Sequence, residues 1–168
     1  MVMRVFNPGD VLAAADVNEQ LVNTKYAIKP ADTSRASTTT LANDPDLTVS
    51  VDANKTYYVQ VTIIYTAVSG SGDLKFAWTV PAGTVFSGTV MNDATTVNMG
   101  AYQAGGTLIS QTQSFVGGGA SILASAFSGV LAIGGSSGSF TLQWAQQTSN
   151  VTATVVKQGS HMFLRRVA

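Results

Sequence analysis

The chain of 168 residues has no cysteine and only one histidine. Without cysteine there is no disulfide framework and no Cys-ligated zinc, and the chain suits assembly in a reducing cytoplasm. With His161 alone, a three-histidine zinc site cannot be built within one chain. No run of 18 apolar residues occurs, so no helix is expected to span a bilayer and no membrane partner is expected. At the start, Asn7-Pro8-Gly9-Asp10 stands where a signal peptide needs its apolar stretch. Nine acidic side chains balance nine basic ones, so there is no basic surplus to neutralise phosphates and no nucleic-acid partner is expected. Charge is scarce as well as balanced. Residues 94–156 contain no Asp, Glu, Lys or Arg, whereas about a quarter of residues are charged in ordinary soluble domains.

A chain of this length fits one ordinary domain, or one domain with a small appendage, and buries roughly 70% of its unfolded surface, enough for a core without disulfide or metal. Residues 1–34 read as a separate N-terminal arm, either packed on its own domain or docking on another subunit. In it, Phe6-Asn7-Pro8-Gly9-Asp10 is turn chemistry, and Ala13 to Asn23 carries an apolar face at Ala14, Val17, Leu21 and Val22. The arm is therefore expected to hold one short helix, ending before Pro30 and too short to be stable undocked. Residues 35–168 read as all-β. Leu47, Val49 and Val51 alternate with polar neighbours, as do Tyr57 to Tyr65, then Leu74, Phe76 and Trp78, then Phe140, Leu142 and Trp144. Further strands are expected at 84–91, 107–115, 121–133 (broken at Gly129), at Val151, Ala153 and Val155, and from His161 to Val167. Eight to ten such strands with glycine-rich turns predict a jelly-roll-like β-sandwich.

The uncharged half has its own meaning. Phe115, Ile122, Phe127 and Leu131 need burial, and small polar residues surround them. Serine, threonine and glutamine pair across an interface where Lys and Glu would be costly. These four apolar residues are the candidate oligomer interface, with a second copy of the chain as partner. The basic last strand, with Arg165 and Arg166, is expected to face the acidic half of the same or a neighbouring copy.

Catalytic and ligand motifs resolve to structural uses. Gly134-Gly135-Ser136-Ser137-Gly138 fits the G-x-S-x-G pattern, but no acidic residue follows Asp93 and a strand rather than a helix follows Gly138. No catalytic residue, cofactor or metal site is expected. Asn43-Asp44-Pro45-Asp46 offers oxygens to calcium, yet turn formation is the commoner use. The sequons at Asn54 and Asn150 are read as turn and strand residues. Tyr102 and Gly117-Gly118-Gly119 are the places where outer loops would meet a sugar.

The arm, Phe6-x-x-Gly9-x-x-Leu12-x-Ala14-Ala15-x-x-Asn18, resembles the opening of small virion proteins of tailed phages that infect Actinobacteria, which often read F-x-x-G-x-x-L-T-A-A-x-x-N. Ala13 stands where that pattern has threonine. Trp78-Thr79-Val80-Pro81 before a glycine turn, and the closing Gly159-Ser160-x-x-x-Leu164-Arg165-Arg166, resemble the same group. The resemblance implies a virion structural protein with an attachment arm and an outward β-sandwich, commonly a homotrimer, and not an enzyme. Members are capsid decoration (head) proteins or minor tail proteins. One short arm on one compact domain favours decoration of the outer capsid surface, with the major capsid protein as partner. The alternative is a minor tail or tail-fibre protein with a receptor- or carbohydrate-binding sandwich and a tail-protein partner. In either case Phe6, Leu12, Val17 and Leu21 are the expected apolar anchors, and Arg4 the expected partner of acidic sites.

Overall fold

In the computed structural model, residues 23–68, 73–92, 100–101, 113–115 and 117–168 are described. They form twelve strands and no helix. In chain order the strands are β1 (Thr24–Ile28), β2 (Thr33–Arg35), β3 (Ala42–Val51), β4 (Thr56–Thr66), β5 (Leu74–Thr79) and β6 (Val85–Asn92). Then come β7 (Gly100–Ala101), β8 (Gln113–Phe115), β9 (Leu123–Ala132), β10 (Gly138–Gln146), β11 (Thr154–Val156) and β12 (His161–Arg166). All pairings are antiparallel. The larger sheet runs β1-β12-β4-β9-β6-β7, with β11 joining β4 to β2, and the smaller runs β3-β10-β5-β8.

Two-residue periodicity drives this arrangement. On β4, Tyr57, Val59, Val61, Ile63 and Tyr65 all point inward and are buried. Facing them from the smaller sheet are Leu47, Val49 and Val51, then Leu74, Phe76 and Trp78, then Phe140, Leu142 and Trp144. Such alternation is what a strand with one covered face requires. Aromatic rings run through the core as a continuous series. Tyr65 meets Phe115, Phe115 lies 4.7 Å from Phe76, Phe76 meets Trp78 edge-on, and Trp78 lies 5.0 Å from Phe127. Phe127 then stacks on Phe86 at 4.1 Å, and Phe140 stacks on Trp78 at 4.5 Å. Offset and edge-on pairs of this kind add to the hydrophobic gain of burying large rings.

The uncharged stretch supplies the middle of the molecule. It contributes β9, between β4 and β6, and β10, between β3 and β5. On β10 even the outward Thr141 and Ala145 are buried, so a charged side chain there would lose its hydration.

Several expectations change. Residues 24–28 and 33–35, placed in the arm by sequence, are strands of the larger sheet, and the boundary at 34 falls inside β2. The expected helix lies outside the described residues, apart from Asn23. Strand β9 is not broken at Gly129 but runs through it, because Gly129 pairs with Gly88 of β6. Near the C-terminus the inward face carries Thr154 and Val156, while Val151 is 87% exposed. The apparent alternation of Val151, Ala153 and Val155 was one residue out of phase, which reverses the buried face of a strand.

Candidate functional site

The chemistry-bearing residues converge where the edge strands of the two sheets meet. Inward positions on β1 alternate as Lys25, Ala27 and, just past its end, Lys29. Opposite them, β3 offers Asp44 and Asp46, and Asp52 follows just past its end. Lys25 Nζ donates to Asp52 at 2.9 Å, and Lys29 Nζ donates to Asp44 at 2.9 Å and to Asp46 at 2.8 Å. Two lysines therefore join one sheet edge to the other.

Asp44-Pro45-Asp46 sits in a bulge. The pairing of β3 with β10 shifts between Thr141 and Gln143, leaving residues 44–47 out of regular register. Proline is tolerated there because it has no ladder hydrogen bond to donate. The bulge turns Asp44 inward, where it is 1% exposed. Its Oδ1 accepts from the backbone N–H groups of Asp46 and Leu47, and its Oδ2 accepts from the Trp144 indole at 2.9 Å. Burial alone would raise the Asp44 carboxyl. The hydrogen bonds from Lys29, Trp144 and the Asp46 amide outweigh that and hold it below the ordinary carboxylate range. The Arg35 guanidinium lies over the Trp144 ring at 4.1 Å and donates to the carbonyls of Trp144, Ala42 and Asn43. The cation these carboxylates hold is thus the Lys29 ammonium, in the place where sequence alone allowed calcium or a simple turn. Every group in the cluster is occupied by another, so it acts as an internal brace between the sheets.

Beside this brace, an open groove of about 640 Å³ lies on the outer face of the smaller sheet. Asn43, Thr48, Thr79, Ser139 and Thr141 line it, between Pro45 and Pro81. Four of these side chains are engaged with neighbours on the same face. The Thr48 and Thr141 hydroxyls are 2.6 Å apart, and Asn43 Oδ1 accepts from Thr79 and Gln143.

The sequence-derived candidates distribute unevenly. Arg4, Phe6, Leu12, Val17 and Leu21 lie outside the described residues, as does Tyr102. Phe115, Phe127 and Leu131 belong to the core between the sheets, at 6%, 3% and 0% exposure, and are not available to a second copy. Of the four interface candidates only Ile122, at 64%, is exposed. Gly117 takes its place for a backbone reason: a Cβ there would lie 2.3 Å from the Val68 carbonyl oxygen. The loop of residues 133–137 runs straight into β10, so Ser136 does not sit at a strand-to-helix elbow. Lys157, ahead of the last strand, pairs with Asp32 at 2.6 Å, and in the strand itself Arg166 bears electrostatically on Asp52. Arg165 instead lies on the outer face. The brace itself was missed by sequence reasoning. Its available signal was the i, i+2, i+4 series Lys25, Ala27, Lys29, which places both lysines on one strand face.

No family model matches the chain, and no curated protein does. Among solved structures, the tripod from the baseplate of bacteriophage Tuc2009 is similar over 99% of this chain and 79% of that one, with a TM-score of 0.39 and 11% identity. A structure of infectious bursal disease virus, Gt strain, is similar over 99% of this chain and 45% of that one, with a TM-score of 0.23 and 12% identity.

Proposed function

We propose that this chain is a non-catalytic structural protein of a tailed-phage virion, in which a jelly-roll sandwich is held on the particle by the N-terminal arm. The observation that carries this reading is the strand order. β1-β12-β4-β9 in one sheet faces β3-β10-β5-β8 in the other, and in chain order these eight strands switch sheets at every step but one, from β5 to β8, which pair with each other. That interleaving supports reading the sandwich as the double Greek key of a jelly roll, an architecture used in viral capsid and lectin domains. The β6-β7 pair then reads as an insertion that widens the larger sheet past β9. The described chain begins just before β1, on the edge of that sheet.

In this reading Phe6, Leu12, Val17 and Leu21 supply apolar anchors and Arg4 pairs with acidic sites on the partner. The favoured partner is the major capsid protein, which makes the chain a decoration protein on the outer surface of the head. Association of copies as a homotrimer would let several weak arms act together and raise apparent affinity by orders of magnitude. Binding assembled and not free subunits would stabilise the shell by mass action. A tail location is the second reading, on the resemblance of the arm to minor tail proteins.

The test uses virions lacking the protein, to which the full chain or a chain without residues 1–22 is added. The cut falls before β1, so the sheet is left intact. The shortened chain is expected to keep its melting temperature and to lose virion binding. Binding equal to that of the full chain would refute the arm. Gold labelling of bound protein separates head from tail.

A further inference from the structure

Among the described residues, the outer face of the larger sheet is partly apolar and almost without charge. Antiparallel register places its side chains in rows, with Thr24, Arg165, Tyr58, Val130 and Ser87 in one and Tyr26, Phe163, Gln60, Ser128 and Thr89 in the next. Tyr26 is 71% exposed and Ile28 59%, and Tyr58, Val130 and Val85 are also exposed. Across the described side chains of β1, β12, β4, β9 and β6 on this face, Arg165 is the one formal charge.

We infer that this face is where copies of the chain meet, an inference that rests on the proposed self-association and assigns its surface. Three features select a second copy as the occupant. First, a neutral face brought against its own duplicate meets no like charge beyond Arg165, whose long stem carries its head toward water. An acidic or basic partner would find almost nothing here to pair with. Second, the composition is that of an interface centre, with Tyr, Phe, Ile and Val among small hydroxyls and without Lys, Glu or Asp. Third, the size suffices. The outward rows are five deep on β4 and β9 and three deep on β1, β12 and the described part of β6. At about 4.8 Å between strands and about 6.8 Å between rows they give a footprint of about 600 Å², so two faces cover about 1,200 Å², the area a specific interface clears. The outer face of the smaller sheet lacks these features, since its hydroxyls and amides pair among themselves and Lys75 projects from it to the Thr39 carbonyl.

Light scattering on the full chain at micromolar concentration is expected to show a dimer or trimer. Tyr26→Lys combined with Ile28→Glu should weaken association about tenfold or more, while Val151→Lys, off this face, should not. Both positions are exposed, so an unchanged melting temperature checks that the fold survives. An independent reading uses the absence of native cysteine. A thiol introduced by Gln60→Cys, at the centre of the face, should react with a maleimide about tenfold more slowly than one introduced by Gln143→Cys on the other sheet. A wild-type monomer would overturn the inference and the self-association with it. An oligomer that persists in the charged variant, or equal thiol reactivity, would overturn the choice of face and leave self-association standing. Neither result touches docking by the arm, which is read from virion binding.

Discussion

Lys29 donates to both carboxylate oxygens of Asp44, at 3.0 and 2.9 Å, and neither side chain has any exposure. This pair ties the end of β1 to the bulge in β3, and so ties the strand next to the arm to the opposite sheet. Its value lies in completeness. Asp44 also accepts from two amides and an indole, and the Lys29 backbone N–H donates to the Ser160 carbonyl at 2.8 Å.

Removing one partner should therefore be far worse than removing both. Lys29→Met leaves a buried carboxylate without its cation, a defect that costs about 3–5 kcal/mol in comparable pairs. Adding Asp44→Asn should return part of that, because no buried charge remains to be solvated. The return is incomplete because the one amide oxygen can accept either from Trp144 or from the Asp46 and Leu47 N–H groups, not from both sides. Urea unfolding of the two single variants and the double variant completes the cycle. A double variant as unstable as the sum of the singles would show that the pair does not act as a unit.

The same carboxyl sets the response to acid. The carboxyl of Asp44 is held below the ordinary range, and so are those of Asp32, by hydrogen bonds from Lys157 and the Gln158 amide, and Asp52, by Lys25 and Tyr57. A depressed carboxyl binds its proton less readily folded than unfolded, so its contribution is complete above about pH 4 and fades as pH falls through the folded value. Melting temperature should be level from neutral pH to about pH 5 and fall below about pH 4. Asp44→Asn should start lower and lose less on acidification. An acid limb identical to that of the wild type would remove Asp44 as a contributor.

Strand positions were legible in the sequence wherever one face is apolar and the other polar, as at Tyr57 to Tyr65 and Leu74 to Trp78, because burial enforces the period of two. Three kinds of feature were not. Lys25 and Lys29 are polar at inward positions, and only the opposing aspartates, far along the chain, make that arrangement stable. Gly129 looks like a strand breaker until its partner Gly88 is known. Phe115, Phe127 and Leu131 were recognised as needing burial, but sequence could not say whether their own core or a second copy provides it. Pairing decided each case, and it is a long-range property.

Ser160 illustrates what the closing Gly159-Ser160 does. Gly159 turns the chain at φ +85°, and the buried Ser160 Oγ accepts from the Ile64 N–H at 2.9 Å while donating to the Lys157 carbonyl at 2.8 Å. Ser160→Ala strands the Ile64 amide between β4 and β12, so a loss of about 1–3 kcal/mol is expected, with Ser160→Thr recovering part of it. Faster hydrogen exchange at the Ile64 amide is the local readout. An unchanged exchange rate in Ser160→Ala would dismiss this role.

The pair of Gly88 and Gly129 gives the sharpest packing test. They face each other across β6 and β9, and the Phe86 ring lies over them to stack on Phe127. A Cβ on Gly129 would fall 2.3 Å from the Ser87 carbonyl oxygen, 2.6 Å from the Gly88 Cα and 2.6 Å from the Phe86 ring. Two of those three neighbours are backbone and cannot swing aside. Gly129→Ala should cost about 1–3 kcal/mol through overpacking, despite adding only one methyl group. Gly135 is the control, since nothing lies within 4 Å of its would-be Cβ. Gly135→Ala should be neutral or stabilise by about 0.4–1 kcal/mol, by narrowing the unfolded ensemble. Adding Phe86→Leu to Gly129→Ala removes the ring contact but not the backbone ones, so relief should be partial. Thermal unfolding of the three variants decides the matter, and a Gly129→Ala protein as stable as the wild type would show that the two strands have room to part.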